Sequence, residues 1–213
     1  PPLHTPYHPP YLPEMAGAVL SARSSARLYH LPVPPEPARP APGPARLTPF
    51  NPERLSADLL PLLEVACPAW LDFVPPDSAE ALFLLRWVGR WPLVGWLAQV
   101  EAEPAGFVLL QPDLAPRLHR AKGGRNPLWR LWLAWAARRA VPHGRLLFGA
   151  VLPQWRGQGI GQQLLHQALA TARQQGWQSI TAGPLPVTAP AVKFLEQAGA
   201  QPKQSYLLYQ LEV

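Results

Sequence analysis

The stretch QWRGQGIGQQLL, Gln154 to Leu165, sets glycines at 157, 159 and 161 directly after the apolar run Arg145 to Leu152, RLLFGAVL. Beyond the glycines, apolar residues recur at Ile160, Leu164, Leu165, Ala168, Leu169 and Ala172. The short run reads as a buried strand, and the second pattern as an amphipathic helix over Gly159 to Gln175. A fold for this chain must therefore be built around a strand, a glycine loop and a helix. At such a junction the first N–H groups of the helix have no partner, the helix dipole adds positive potential, and missing side chains allow close approach. Phosphate oxygens are the expected ligand.

Two phosphate loops fail to match. The nucleotide-hydrolase loop needs Gly-Lys followed by Ser or Thr, and Gly161 is followed by Gln162-Gln163. The dinucleotide fingerprint needs glycine where Leu164 stands and an acidic residue about 20 positions later. No Asp or Glu occurs from Ala115 through Leu195.

A third pattern fits. Arg156-Gly-Gln-Gly159-Ile-Gly161 resembles the Arg/Gln-x-x-Gly-x-Gly/Ala motif of the GNAT superfamily of N-acetyltransferases. Val151-Leu-Pro153, Gly183-Pro184 and Phe194-Leu-Glu-Gln-Ala-Gly199 extend the resemblance, as does the order of elements from Ala45 to Val213. It implies a mixed α/β fold with a central, mostly antiparallel sheet, splayed at the cofactor site and flanked by helices on both faces. It also implies acetyl coenzyme A as cofactor, with Val151, Leu152, Trp155, Arg156, Gly157, Gln158, Gly159, Ile160 and Gly161 around its pyrophosphate. The N–H groups from Trp155 to Gly161 would hold the phosphates, and Arg156 would add charge. Main-chain groups of Leu147 to Leu152 would pair with the pantetheine arm. The acceptor would be a primary amine, on a small molecule or a peptide, attacking directly in a ternary complex.

The catalytic pattern departs from that family. Many members carry a Glu on the central strand as base, and RLLFGAVL has no carboxylate. Glu101, Glu103, Glu64, Asp72 and His143 are the remaining candidates, with Glu101 and His143 carried forward. Each also reads as a solvated surface group. The Tyr that often serves as general acid, four residues before the helix-ending glycine, is Leu195 here. Tyr206 and Tyr209 lie three apart on the final strand and so face opposite ways, and Tyr206 is the preferred acid. Cys67 is the only cysteine and has no adjacent activating base, which disfavours a covalent intermediate. A catalytically inactive coenzyme A-binding or protein-interaction module of the same fold is the alternative.

Around this core, Ala45 to Phe50 reads as a first strand, and Glu53 to Ala66 and Ser78 to Val88 as helices. Trp96 to Val100 and Ala105 to Gln111 form a hairpin about Glu101 to Pro104. Asn126-Pro127 and Arg138-Arg139 mark the start and stop of a tryptophan-rich helix, Leu128 to Ala140. It reads as buried against the domain or a partner, as a wall of the acceptor pocket, or as a membrane-surface helix. Trp177 to Ala182 is a strand that Gly183-Pro-Leu-Pro186 breaks. Thr188 caps a helix with Ala191, Phe194, Leu195 and Ala198 on one face and Gly199 as its stop. Ser205 to Leu211 is the last strand.

Residues 32–44 are proline-dense and favour extended polyproline II of about 3.1 Å per residue, a semi-rigid linker ahead of a domain spanning 45–213. Within 1–31, Leu12 to Ala18 and Leu28-Tyr-His-Leu31 echo Leu195 to Ala200 and Leu208-Tyr-Gln-Leu211. The amino end is therefore expected to be the tail of a preceding GNAT-like domain, or an appendage. The sequence opens at Pro1 rather than methionine, as a piece of a longer chain or a processed form would.

A net charge of +6 favours an anionic partner such as a phosphorylated cofactor. Nucleic acid is disfavoured, because the aromatics among the basic residues 117–145 sit at core-like helical spacing. The longest apolar stretch, Ala81 to Leu97, is broken by Arg86, Arg90 and Pro92 and falls short of the roughly 20 residues of a membrane span. With no disulfide framework, cysteine-based metal site or signal peptide, a cytoplasmic protein is expected, and a homo-oligomer is compatible with the sequence.

Overall fold

The computed structural model describes residues 21–36, 43–51, 55–66, 93–120, 128, 132 and 141–210. Their strands are β1 (Ser21–Pro32), β2 (Arg46–Pro49), β3 (Val94–Val100), β4 (Glu103–Pro112), β5 (His143–Val151), β6 (Ser179–Pro186) and β7 (Gln201–Gln210). The helices are α1 (Leu55–Ala66), α2 (Ala115–Arg120), α3 (Ile160–Gln174) and α4 (Pro190–Gln197). Hydrogen bonding orders the seven strands β2-β3-β4-β5-β6-β1-β7. The expected helix 78–88 lies outside the described residues, as does 128–140 apart from Leu128 and Trp132. No helix among the described residues is long and apolar enough to cross a membrane.

Two compact units divide these elements. The first holds β2, β3, β4, α1, α3 and β5 from Gly144 onward. Antiparallel pairing runs from β2 through β5. The β3–β4 turn is Glu101-Ala102, both with positive φ, as the tight type I′ hairpin turn requires. Strand alternation gives β4 two distinct faces. Phe107 and Leu109 pack with Leu59 and Leu62 of α1 and with Leu152, each fully buried apolar side chain stabilising by about 1.5–3 kcal/mol. On the other face, Gly106 lies against the β5 main chain and beneath Leu164 of α3, since a Cβ there would lie 2.7 Å from Ala150 O and 3.3 Å from Leu164 Cδ1. Trp96 Nε1 donates to Thr171 Oγ1 at 3.0 Å on that same side.

Helix α3 buries Ile160, Leu164, Leu165, Ala168, Thr171 and Ala172. Leu169, expected in that stripe, is only half-buried. The helix closes at Gly176 (φ 73°), with Gly176 N–H on Arg173 O and Trp177 N–H on Ala172 O. That is the paired bonding of a glycine-terminated helix, and the following apolar residue, Trp177, is buried.

The second unit holds β1, α2, α4, β7 and β6 from Thr181. Strand β1 pairs antiparallel with β7, from Ser21 opposite Gln210 to His30 opposite Gln201. The segment expected to be a tail or appendage thus supplies a strand of the sheet, burying Ala26, Leu28, Tyr29 and Leu31. Tyr29 Oη donates to Glu196 Oε1 at 3.2 Å. Burial and that carboxylate hold the phenol above its ordinary pKa.

Three local expectations change in this unit. Strand β6 continues through Gly183 to Pro186 instead of breaking. The glycine admits β1, because a Cβ at 183 would lie 2.8 Å from Arg27 O. Helix α4 takes Ala189 as its N-cap, without a side-chain cap bond, so Thr188 does not cap it. Its buried residues are Val192 and Leu195, while Ala191 and Ala198 are exposed. The expected stop holds: Gly199 (φ 89°) donates to Glu196 O and Ala200 to Leu195 O.

Gly183→Ala forces a side chain into φ 107° and against main chain, and should destabilise by roughly 2 kcal/mol or more in urea unfolding. His30 is held below its usual pKa of 6.5 by burial first, then by Lys203 and His143. A depressed histidine contributes stability above 6.5 that is lost as pH falls through the lower folded value. Between pH 7.5 and 5 the melting temperature of the wild type should therefore drop more than that of His30→Gln.

Candidate functional site

The site lies in the first unit, where β5 runs into α3. Val151 ends β5 opposite Gly106 of β4, and Leu152 N–H donates to Ala105 O at 2.9 Å. Pro153–Trp155 form one 3-10 turn. Leu152 is buried and Trp155 packs against the α1 cluster, so both ends of the turn are anchored in the core.

The loop then opens. Gly157 (φ 79°) and Gly159 (φ 80°) are left-handed, which glycine adopts without the clash of a Cβ. A Cβ on Gly157 would meet nothing within 4 Å. Gly159 is the N-cap of α3 and has no side chain to cap with. The first helical bond is Gln163 N–H to Gly159 O at 3.1 Å, so the N–H groups of Ile160, Gly161 and Gln162 precede the ladder. No acidic residue stands in the first turn to oppose an anion.

The expected donor set narrows. Trp155 N–H is spent on Leu152 O at 2.9 Å, and Arg156 N–H on Pro153 O at 3.3 Å. Donors able to face a ligand therefore start at Gly157 and extend to Gln162, one residue past Gly161. Arg156 is exposed, with its Nε donating to Val151 O at 3.1 Å. This bond holds the guanidinium against the end of β5 and leaves its terminal nitrogens for a ligand.

Midway along β5 the ladder shifts. Leu109 pairs with Phe148 but Leu110 with Leu146, so Leu147 is an extra residue. A bulge bends its strand and interrupts the pairing, and this one lies on the segment expected to present main-chain groups.

The three proton-transfer candidates are dispersed. Glu101 is exposed in the β3–β4 turn, at the end of the hairpin where β5 gives way to the glycine loop. His143 is half-buried at the opposite end of β5 from Val151, roughly 26 Å away at strand rise. Tyr206 is half-buried on β7 opposite Ala26, in the second unit. The side chain of Tyr209 lies outside the described residues. Leu195, in the place where the family often has tyrosine, is buried.

One contact had no sequence signal. From the first turn of α3, Gln163 Nε2 donates to Gly43 O (3.1 Å) and Ala45 O (3.3 Å), and its Oε1 accepts Ala45 N–H (3.2 Å). The carboxyl end of the proline-rich segment is thus fastened beside the loop. Only spacing along α3, which leaves Gln163 off the buried stripe, could have singled it out.

The sequence model of the Acetyltransferase (GNAT) family matches residues 59–200. No curated protein matches the sequence. Among solved structures, a GCN5-related N-acetyltransferase from Sphaerobacter thermophilus superposes with TM-score 0.61 at 16% identity, over 93% of this chain and 54% of that one. A tandem GNAT protein from the clavulanic acid biosynthesis pathway gives 0.57 at 16% identity, over 97% and 60%. A functionally unknown conserved protein from Staphylococcus epidermidis gives 0.56 at 11% identity, over 99% and 70%. The chain spans little more than half the length of the first two.

Gln163→Ala should free residues 43–45. Hydrogen exchange at the Ala45 amide is expected to quicken by roughly an order of magnitude, as the loss of one hydrogen bond of about 1 kcal/mol would produce, while the amides of β4 stay protected.

Proposed function

Because the chain belongs to the acetyltransferase (GNAT) family, we propose that it transfers an acetyl or other short acyl group from acetyl coenzyme A to a primary amine, by direct attack in a ternary complex. The observation that supports this reading most is the start of α3: left-handed glycines, no capping side chain, and N–H groups left ahead of the helical ladder. When bound, the coenzyme supplies an activated acyl thioester.

The residues divide the work by position. N–H groups from Gly157 to Gln162 hold the pyrophosphate, and Arg156 adds charge from the end of β5. Charge-assisted hydrogen bonds of roughly 1.5–3 kcal/mol each make a few of them sufficient for micromolar affinity. The main chain of β5 about the Leu147 bulge aligns the pantetheine arm and orients the acyl carbonyl. The attacking amine must lose a proton, and β5 carries no carboxylate to take it. Glu101, acting through water, and His143 are the bases this reading retains, with Tyr206 as donor to the leaving thiolate.

The absent strand carboxylate and the buried Leu195 favour a second reading, an inactive coenzyme A-binding or interaction module. The first 31 residues, whose Leu28 to Leu31 echo lies in β1 against β7, we read as the end of a preceding GNAT-like repeat.

Calorimetric titration of acetyl coenzyme A separates these readings from no binding at all. The wild type should bind in the micromolar range. Gly157→Ala should lose tenfold or more in affinity while melting nearly as the wild type does, since its Cβ enters open space and costs only about 1–2 kcal/mol of backbone strain. Coenzyme A release with an amine panel then marks an enzyme, and tight binding without release marks the module. A folded wild type that binds no acetyl coenzyme A overturns both.

A further inference from the structure

On the α1 face of β4, two residues beyond Leu109, stands Gln111, 1% exposed. Both atoms of its amide, Nε2 and Oε1, are buried and have no hydrogen-bond partner among the described residues. Directly across the ladder is Arg145 of β5, 5% exposed. Strand alternation puts Gln111 on the same side as Phe107 and Leu109, which pack on α1. The rest of this strand interior, Phe107 to Leu110, is apolar. A buried amide without partners is a costly anomaly that a bound group or water ordinarily relieves.

We infer that Gln111, with Arg145 beside it, recognises a carboxylate or carbonyl group on the acceptor amine, so that the acceptor is of amino acid or peptide type rather than a simple alkylamine. This inference rests on the reading of the chain as an N-acetyltransferase and names the substrate class for that site. The chemistry selects the group. A primary amide offers two donors, and the guanidinium across the ladder adds positive charge beside them, which suits carboxylate or carbonyl oxygens. The amide oxygen can accept an N–H from a peptide bond. The position selects the spacing. Gln111 is two residues from Leu109, where the β5 bulge begins, about 7 Å along the strand. An amine presented at the bulge can therefore reach Gln111 only with a polar group a few bonds away.

The test compares kcat/KM for glycylglycine and for n-butylamine, followed by coenzyme A release, in the wild type and in Gln111→Leu. Wild-type protein should prefer glycylglycine. In the variant the ratio of the two values should fall at least tenfold, through KM for the dipeptide. Gln111→Met, closer in length and flexibility, repeats the comparison if the leucine variant does not fold. No wild-type preference for the dipeptide, or an unchanged ratio in the variants, overturns the inference. A raised melting temperature with an unchanged ratio would identify Gln111 as a core amide served by water. Titration of acetyl coenzyme A into the wild type is run alongside. Absence of cofactor binding there takes down the enzymatic reading and this inference with it, whereas binding with no preference takes down this inference alone.

Discussion

The geometry of the site depends on how α3 starts. A helix beginning at a left-handed glycine has no capping side chain, so its first N–H groups remain unspent. Such a start carries no local stability of its own, and it persists because its flanks are pinned. Leu152 and Trp155 hold the turn before it in the α1 cluster, and Ile160 and Leu164 hold the first turns of the helix in the core. Burial of these apolar groups offsets unsatisfied polar groups a few residues away. Core packing and unspent N–H groups thus belong to different atoms of one short segment.

The same separation recurs across β4. One face packs α1 and the other packs α3, with Gly106 leaving room for the β5 main chain beneath Leu164. On β5, the Leu147 bulge falls between the end that feeds the glycine loop and the end that carries Arg145. A strand broken in this way can present main-chain groups to a ligand without losing its place in the sheet, because the register resumes at Leu146. Gln163 adds a restraint from outside the sheet, fastening residues 43–45 to the turn that carries the free N–H groups.

In the second unit, the Leu28 to Leu31 echo of the last strand falls within β1, whose partner no local pattern announces. Its pairing with β7 joins residues nearly 190 positions apart, Ser21 and Gln210, and burial of Tyr29 beside Glu196 ties it to α4. Gly183, which looks like a strand breaker, serves close approach here. The residue without a side chain lets the Arg27 carbonyl come near, and β6 carries on past it.

Much of this was legible because local physics determined it. Apolar periodicity marked β5 and α3, bare glycines marked the loop, and Gly199 marked the end of α4 through the left-handed residue that such a stop requires. The motif about Arg156 identified the family. What lay beyond reading depended on contacts distant in sequence. Trp155 and Arg156 spend their N–H groups within a turn whose closure depends on the core behind it. Gln163 finds main-chain partners about 120 positions away. Gln111 looks like an ordinary strand end until the folded sheet buries its amide without a hydrogen-bond partner among the described residues. The sequence alone determined where a helix would start on bare glycine, since that depends on a few adjacent residues. Only the tertiary structure decided which of its N–H groups stay unspent and which polar groups are buried, because those depend on what distant segments cover.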